Sequence, residues 1–165
     1  MPTANPDAPF LVSHPAHFIA LGGGAGLVPK APGTFGTLLG FPLAWASLQM
    51  PGWAAWLSVG AAFLLGVWAC ERCGRDLGVA DHGAMVWDEV VAMWGVLLLV
   101  PLSWVSWLAA FALFRFFDIA KPFPIGWLDR KVKGGLGVML DDALAAAYAV
   151  LALRVMQYLL PGRLS

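Results

Sequence analysis

No charged residue lies between Lys30 and Glu71, and none lies between Glu89 and Arg115. Neither sign of charge is in surplus. Ten Lys and Arg balance ten Asp and Glu, so there is no basic field of the kind that binds nucleic acid. Cysteine is scarce: Cys70 and Cys73 are the only two, and they imply no disulfide framework. As one C-x-x-C without a second pair, they read as small residues at a helix end. No Lys or Arg precedes Lys30 and no apolar h-region opens the chain, so the N-terminus does not read as a cleaved signal.

What fills the chain is apolar. Of 165 residues, 60% are hydrophobic and 12% charged, against roughly 25% charged in an ordinary soluble domain. Mean hydropathy is +0.75. Nine tryptophans suit a protein that meets membrane–water interfaces. The length fits one domain. Residues 1–15, with Pro2, Pro6 and Pro9 and a polar start, are expected to form a loose tail before a single domain over 16–165.

Turn signals divide the apolar blocks. Met50-Pro51-Gly52 splits the first and Pro101-Leu102-Ser103 the second. The expected fold is therefore all-α, a compact membrane bundle. It has about five apolar helices: hairpins over 35–50 with 53–72 and 86–100 with 103–118, then a last helix from near Leu140 to before Pro161-Gly162. Each hairpin returns the chain to its starting side. Segments 22–34, 71–88 and 119–140, with the adjoining helix ends, then share that side. There they gather Lys30, Arg72, Arg75, Arg115, Lys121, Arg130, Lys131 and Lys133, whereas the two turns carry no basic residue. The positive-inside rule makes this side cytoplasmic. A soluble α-bundle is the alternative, disfavoured by helices that are apolar all round.

Nine of the ten acidic residues also fall in the segments flanking the uncharged gaps; Asp7 is the exception. Carboxylates in so apolar a chain need water, a metal or a counter-charge. Four clusters stand out. Gly22–Gly26 and Pro29–Thr37 lead into a helix; their backbone N–H groups could cradle phosphate oxygens, with Lys30 nearby and Thr34 as the N-cap. The segment has no G-K-[ST] and is not a P-loop. Asp81-His82-Gly83 precedes Trp87-Asp88-Glu89, where adjacent acids invite a hard cation such as Mg²⁺. Arg115, Asp118 and Lys121 recur at i, i+3 and i+6 on one helix face, offering a carboxylate and two cations, with Asp129 and Arg130 close behind. Finally Lys133-Gly134-Gly135-Leu136-Gly137 leads to Asp141-Asp142. Helical neighbours point about 100° apart, so one of this pair suits a metal and the other a supporting role. Each cluster also has a plain structural explanation as a turn, a helix cap or an ion network. Their convergence on one side favours a metal–phosphate site.

In fixed order, these motifs resemble the phosphatidylglycerophosphatase A family. The matching stretches are Gly22–Gly36, Asp81-His82-Gly83 with Trp87-Asp88-Glu89, Phe114–Asp118 through Lys121–Ile125, Asp129-Arg130, and Gly134–Gly137 through Asp141-Asp142. The resemblance covers about residues 15–160. It implies a Mg²⁺-dependent integral membrane lipid phosphatase of the bacterial inner membrane. Such an enzyme converts phosphatidylglycerophosphate to phosphatidylglycerol and inorganic phosphate. Other phosphatase designs are absent: there is no Cys-x₅-Arg loop and no Asp-x-Asp motif.

On that basis Asp88, Glu89, Asp118 and Asp141 or Asp142 are expected to bind Mg²⁺. Arg115 and Lys121, with Lys30, Thr34 and Arg130, are expected to hold the phosphate, and Asp129 or His82 to handle a proton. The partner is a phospholipid in the bilayer. The alternative is a non-enzymatic cation-binding membrane module or small transporter. Acids at helix ends rather than at mid-depth disfavour it.

Overall fold

The computed structural model describes residues 5–159, and every regular element in them is helical. Short helices α1 (Ala8–Ser13) and α2 (Pro15–Ala20) lead through a 3₁₀ turn at Gly22–Leu27 into α3 (Pro32–Ser47). Then come α4 (Gly52–Leu77), α5 (Trp87–Leu99), α6 (Trp104–Ala120), α7 (Ile125–Lys131) and α8 (Gly134–Leu159). The turn signals act where the sequence puts them. Pro51 stands immediately before α4, and the Ser103 hydroxyl caps α6 by accepting from Ser106 N–H at 3.2 Å. Pro161-Gly162, the expected stop for the last helix, lies outside the described residues.

Three details depart from the sequence reading. The stretch expected to be loose holds α1, capped by Asp7, which accepts from Phe10 N–H at 2.9 Å. A helix, α7, occupies part of what reads as the loop 119–140. And α8 begins at Gly134, about six residues before Leu140. The glycines read as a loop there are helical because the backbone needs them small. A Cβ at Gly135 would collide with the Val67 carbonyl oxygen of α4. Glu71 Oε2 then accepts from Gly135 N–H at 2.8 Å, holding the start of α8.

The helices of each expected hairpin are not each other's main partners. α3 lies chiefly on α5, α4 on α8 and α2, and α6 on α8. α5 and α8 form the centre, with Met93, Val96, Leu97, Phe114, Ala145, Ala149 and Leu153 in the buried core. Trp94 Nε1–H donates to Ser47 Oγ at 2.9 Å, pinning α5 to α3. Turn residues reverse a chain; side-chain volume decides which helices then touch.

The outside is apolar. Trp53, Trp56, Leu57, Leu64 and Trp68 of α4 face outward, as do Leu38 and Trp45 of α3, Trp104 and Leu108 of α6, and Leu151 and Val155 of α8. Among the described residues, two helices, α4 and α8, are long and apolar enough to cross a membrane. Only 28% of the apolar window of α4 is buried within the protein, and one face of the helix carries exposed large apolar side chains. An apolar face of that extent calls for lipid.

Candidate metal–phosphate site

α5 opens on Asp88 and Glu89, and their placement follows from the segment before it. Val86 N–H donates to the Ala20 carbonyl at 2.8 Å, which ties the entry of α5 to the end of α2. Asp88 is 8% exposed and Asp142, from the first third of α8, is 3% exposed. One carboxylate oxygen each from Asp88, Glu89 and Asp142 falls within 4.8 Å of the others. At that separation two like charges repel by about 3 kcal/mol with an effective dielectric near 20. Three such pairs rival the entire stability of a typical domain, roughly 5–15 kcal/mol. The cluster therefore needs protons or a cation.

Arg115 answers part of this. Its guanidinium stands 2.5 Å from Asp118 Oδ2 and 3.5 Å from Glu89 Oε1. Close approach at this point depends on α3: a Cβ on Gly33 would run into Glu89 Oε1 and crowd Arg115. One guanidinium cannot balance Asp88, Glu89, Asp118 and Asp142 together. Asp88 Oδ1, Glu89 Oε2, Asp142 Oδ2 and Arg115 Nε are all buried without a hydrogen-bond partner. Three clustered carboxylates, each keeping a buried oxygen without a partner, offer the donor chemistry of a hard cation. The residues present thus fit Mg²⁺.

Asp141 takes a different part from Asp142. The Lys121 ammonium lies 2.5 Å from Asp141 Oδ2 and 3.2 Å from Asp129 Oδ1. Burial works against the lysine's charge, but Asp141 and Asp129 outweigh it, so Lys121 holds its proton more tightly than usual. Lys121 sits just past α6 in a left-handed conformation, with φ 41°, so it leaves the helix face that the spacing assigns it and turns toward α8. Of the five expected metal ligands, then, Asp88, Glu89 and Asp142 come together. Asp118 reaches the same cluster, held by Arg115 and close beside Asp142, whereas Asp141 is held by Lys121.

The remaining residues divide. Lys30 and Arg130 are exposed. Thr34 does not cap α3; that position is Ala31, in a left-handed conformation before Pro32, and Thr34 N–H donates to the Ala31 carbonyl at 2.9 Å. Among the glycines, Gly24 and Gly26 N–H both donate to the Leu21 carbonyl, so neither is free to cradle a phosphate. His82 Nδ1 accepts from Ala84 N–H at 3.1 Å, which holds the turn ahead of α5. Thr37, which closes the Pro29–Thr37 stretch but carried no role of its own in the sequence, is fully buried and donates to the Gly33 carbonyl at 2.8 Å, steadying the turn beneath Glu89. Its position four residues after Gly33 is the one signal that could have found it.

The fold and the site together describe a helical, membrane-associated protein with a buried acid cluster beside an arginine and a lysine. The chain belongs to the phosphatidylglycerophosphatase A family, whose model matches residues 18–157. It is 48% identical over 156 residues to phosphatidylglycerophosphatase A of Haemophilus influenzae, covering 93% of this chain and 96% of that one. It is also 42% identical over 135 residues to phosphatidylglycerophosphatase A of Escherichia coli, covering 81% and 78%. No solved structure matches the chain.

Proposed function

We propose that this protein is a Mg²⁺-dependent lipid phosphatase of phospholipid biosynthesis, hydrolysing phosphatidylglycerophosphate to phosphatidylglycerol and inorganic phosphate. The observation that carries the reading is the trio Asp88, Glu89 and Asp142, each with a buried, unpaired oxygen, beside Arg115. Family membership supplies the substrate.

In this reading Asp88, Glu89 and Asp142 hold the metal. When bound, Mg²⁺ supplies Lewis acidity toward the phosphoryl oxygens and a more acidic water. Arg115 keeps Glu89 and Asp118 in place, and its unpaired Nε is a further donor for negative charge. Lys121, anchored by Asp141 and Asp129, adds a second cation for the phosphoryl group. Water supplies the oxygen that joins phosphorus, the ester P–O bond breaks, and a proton goes to the departing glycerol oxygen. That proton comes from the attacking water and is passed on by Asp129 or by Nε2 of His82, whose Nδ1 is engaged by Ala84 N–H. Lys30, Thr34 and Arg130 are left as outer contacts for the headgroup.

We further read α3, α5 and α6 as membrane-inserted beside α4 and α8, with the charged end at the cytoplasmic face of the bacterial inner membrane. The eight basic residues on that end support this orientation. The test is inorganic phosphate release from phosphatidylglycerophosphate in detergent micelles, with Mg²⁺ and with EDTA. Mg²⁺-dependent release that disappears in Asp88→Asn is expected. Release that persists in EDTA would remove the metal, and none from folded wild-type protein would remove the activity.

A further inference from the structure

A cleft of about 480 Å³ opens between α4, α5 and α8. Its walls are apolar, and its one acidic lining residue is Asp88 at one end. Asp88 is itself buried and its Oδ1 has no partner. The cleft therefore runs directly into the candidate metal site. At the far end it meets Leu99 and Leu151, both outward-facing, and Arg154. Its depth comes from small residues: Ala92, Gly95, Ala143 and Ala147 stand where larger side chains would fill it. A Cβ on Gly95 would meet nothing nearer than Val59 Cγ1 at 3.9 Å.

The length of the cleft identifies its occupant. From Asp88 to Leu99 along α5 is eleven residues, about 16 Å at 1.5 Å per residue. One leaflet of a bilayer has a hydrocarbon depth of about 15 Å, half of the ~30 Å core. A chain lying in this cleft thus spans one leaflet and ends at Asp88, where a phosphate headgroup belongs. We infer that the cleft between α4, α5 and α8 seats an acyl chain of the lipid substrate and registers its headgroup against Asp88, Glu89 and Asp142. The inference rests on the lipid phosphatase reading and deepens it. The enzyme grips the hydrocarbon as well as the headgroup, and binding energy from the chain positions the phosphate.

The test fills the cleft. Gly95→Leu and, separately, Ala147→Leu, from an outward position on α8, are assayed on phosphatidylglycerophosphate with two hexadecanoyl chains and on the deacylated headgroup compound. The ratio of kcat/KM for the long-chain substrate to that for the deacylated one is expected to fall at least tenfold, through kcat as well as KM. If Gly95→Leu does not fold, Ala147→Leu reads the ratio alone. A ratio equal to wild type would overturn the cleft while leaving the phosphatase intact. Wild-type protein that releases phosphate from neither substrate would overturn both. A further readout needs no turnover: a photoactivatable group at the end of an acyl chain should crosslink to α5 or α8 near Leu99 and Leu151. Labelling confined to the outward faces of α3 and α6 would also overturn the proposal.

Discussion

Lys121 and Asp141 stand twenty residues apart in sequence, yet their charged atoms lie 2.5 Å apart, joining the end of α6 to α8. Asp141 is almost wholly buried, whereas Lys121 keeps some exposure. Replacing Lys121 with Met leaves a buried carboxylate without its cation. A fully buried pair broken in this way costs about 3–5 kcal/mol, and the exposure of the lysine brings the expected loss to about 2 kcal/mol. Lys121→Met with Asp141→Asn should recover part of it, as read by thermal unfolding in detergent. Because the folded lysine holds its proton more tightly, the stabilisation is complete below the ordinary lysine pKa of about 10.4. It fades only as pH climbs through the higher folded value.

The two adjacent aspartates should separate by function. Asp142→Asn removes an oxygen donor from the trio and is expected to lower kcat at least a hundredfold without unfolding the protein. It should also abolish the rise in melting temperature that Mg²⁺ gives the wild type, a rise that follows from ligand binding to the folded state. Asp141→Asn should keep that Mg²⁺-dependent rise. Equal behaviour of the two variants toward Mg²⁺ would contradict the division of roles.

Gly33→Ala tests the approach of α3 to the site. The added methyl group must displace Glu89 or Arg115. Overpacking of this kind typically costs about 1–3 kcal/mol. The expected result is at least a tenfold loss of phosphate release and a weaker Mg²⁺ response, with far-ultraviolet circular dichroism still helical. Wild-type activity in this variant would show that Glu89 is not held where the site needs it.

His17 should matter for the fold and not for the chemistry. It is buried, stacks on Phe10, and bonds Asp76 at 2.8 Å, which Arg72 also meets at 2.8 Å. His17→Ala takes away the link between α2 and α4 and leaves a hole beneath α1. A loss of about 1–3 kcal/mol is expected, with faster amide exchange in α1 and α2 and the Mg²⁺ dependence of turnover unchanged.

Much of this protein is legible in order along the chain. Uncharged gaps mark the apolar helices, Pro51 and Pro101 mark the reversals, and the acids flank the gaps because burying them elsewhere is too costly. Those are local properties, set by composition and by what proline does to a helix. Which acids meet is not local. Asp88 and Glu89 lie more than fifty residues before Asp142; the family resemblance groups them with Asp118 and one of Asp141 or Asp142, and the i, i+3 spacing pairs Arg115 with Asp118, but neither says that Asp142 joins the trio while Asp141 goes to Lys121. The packing of α5 and α8 decides that.

Glycines at 33 and 135 show the same limit. In sequence they read as turns and phosphate cradles; in the fold they are places where helices touch too closely for a side chain. The N-terminal segment reads as loose because of its prolines and polar start, yet Asp7 caps a helix there, and just beyond it His17 finds Asp76 across the fold. The sequence by itself determined the helical class, the apolar exterior and the gathering of charge at helix ends, since each follows from solvation of the residues where they stand. Only the tertiary structure decided the pairing of Asp141 with Lys121, the choice of Asp142 as the third member of the trio and the cleft that reaches Asp88. Each of these depends on distances between helices that lie far apart along the chain.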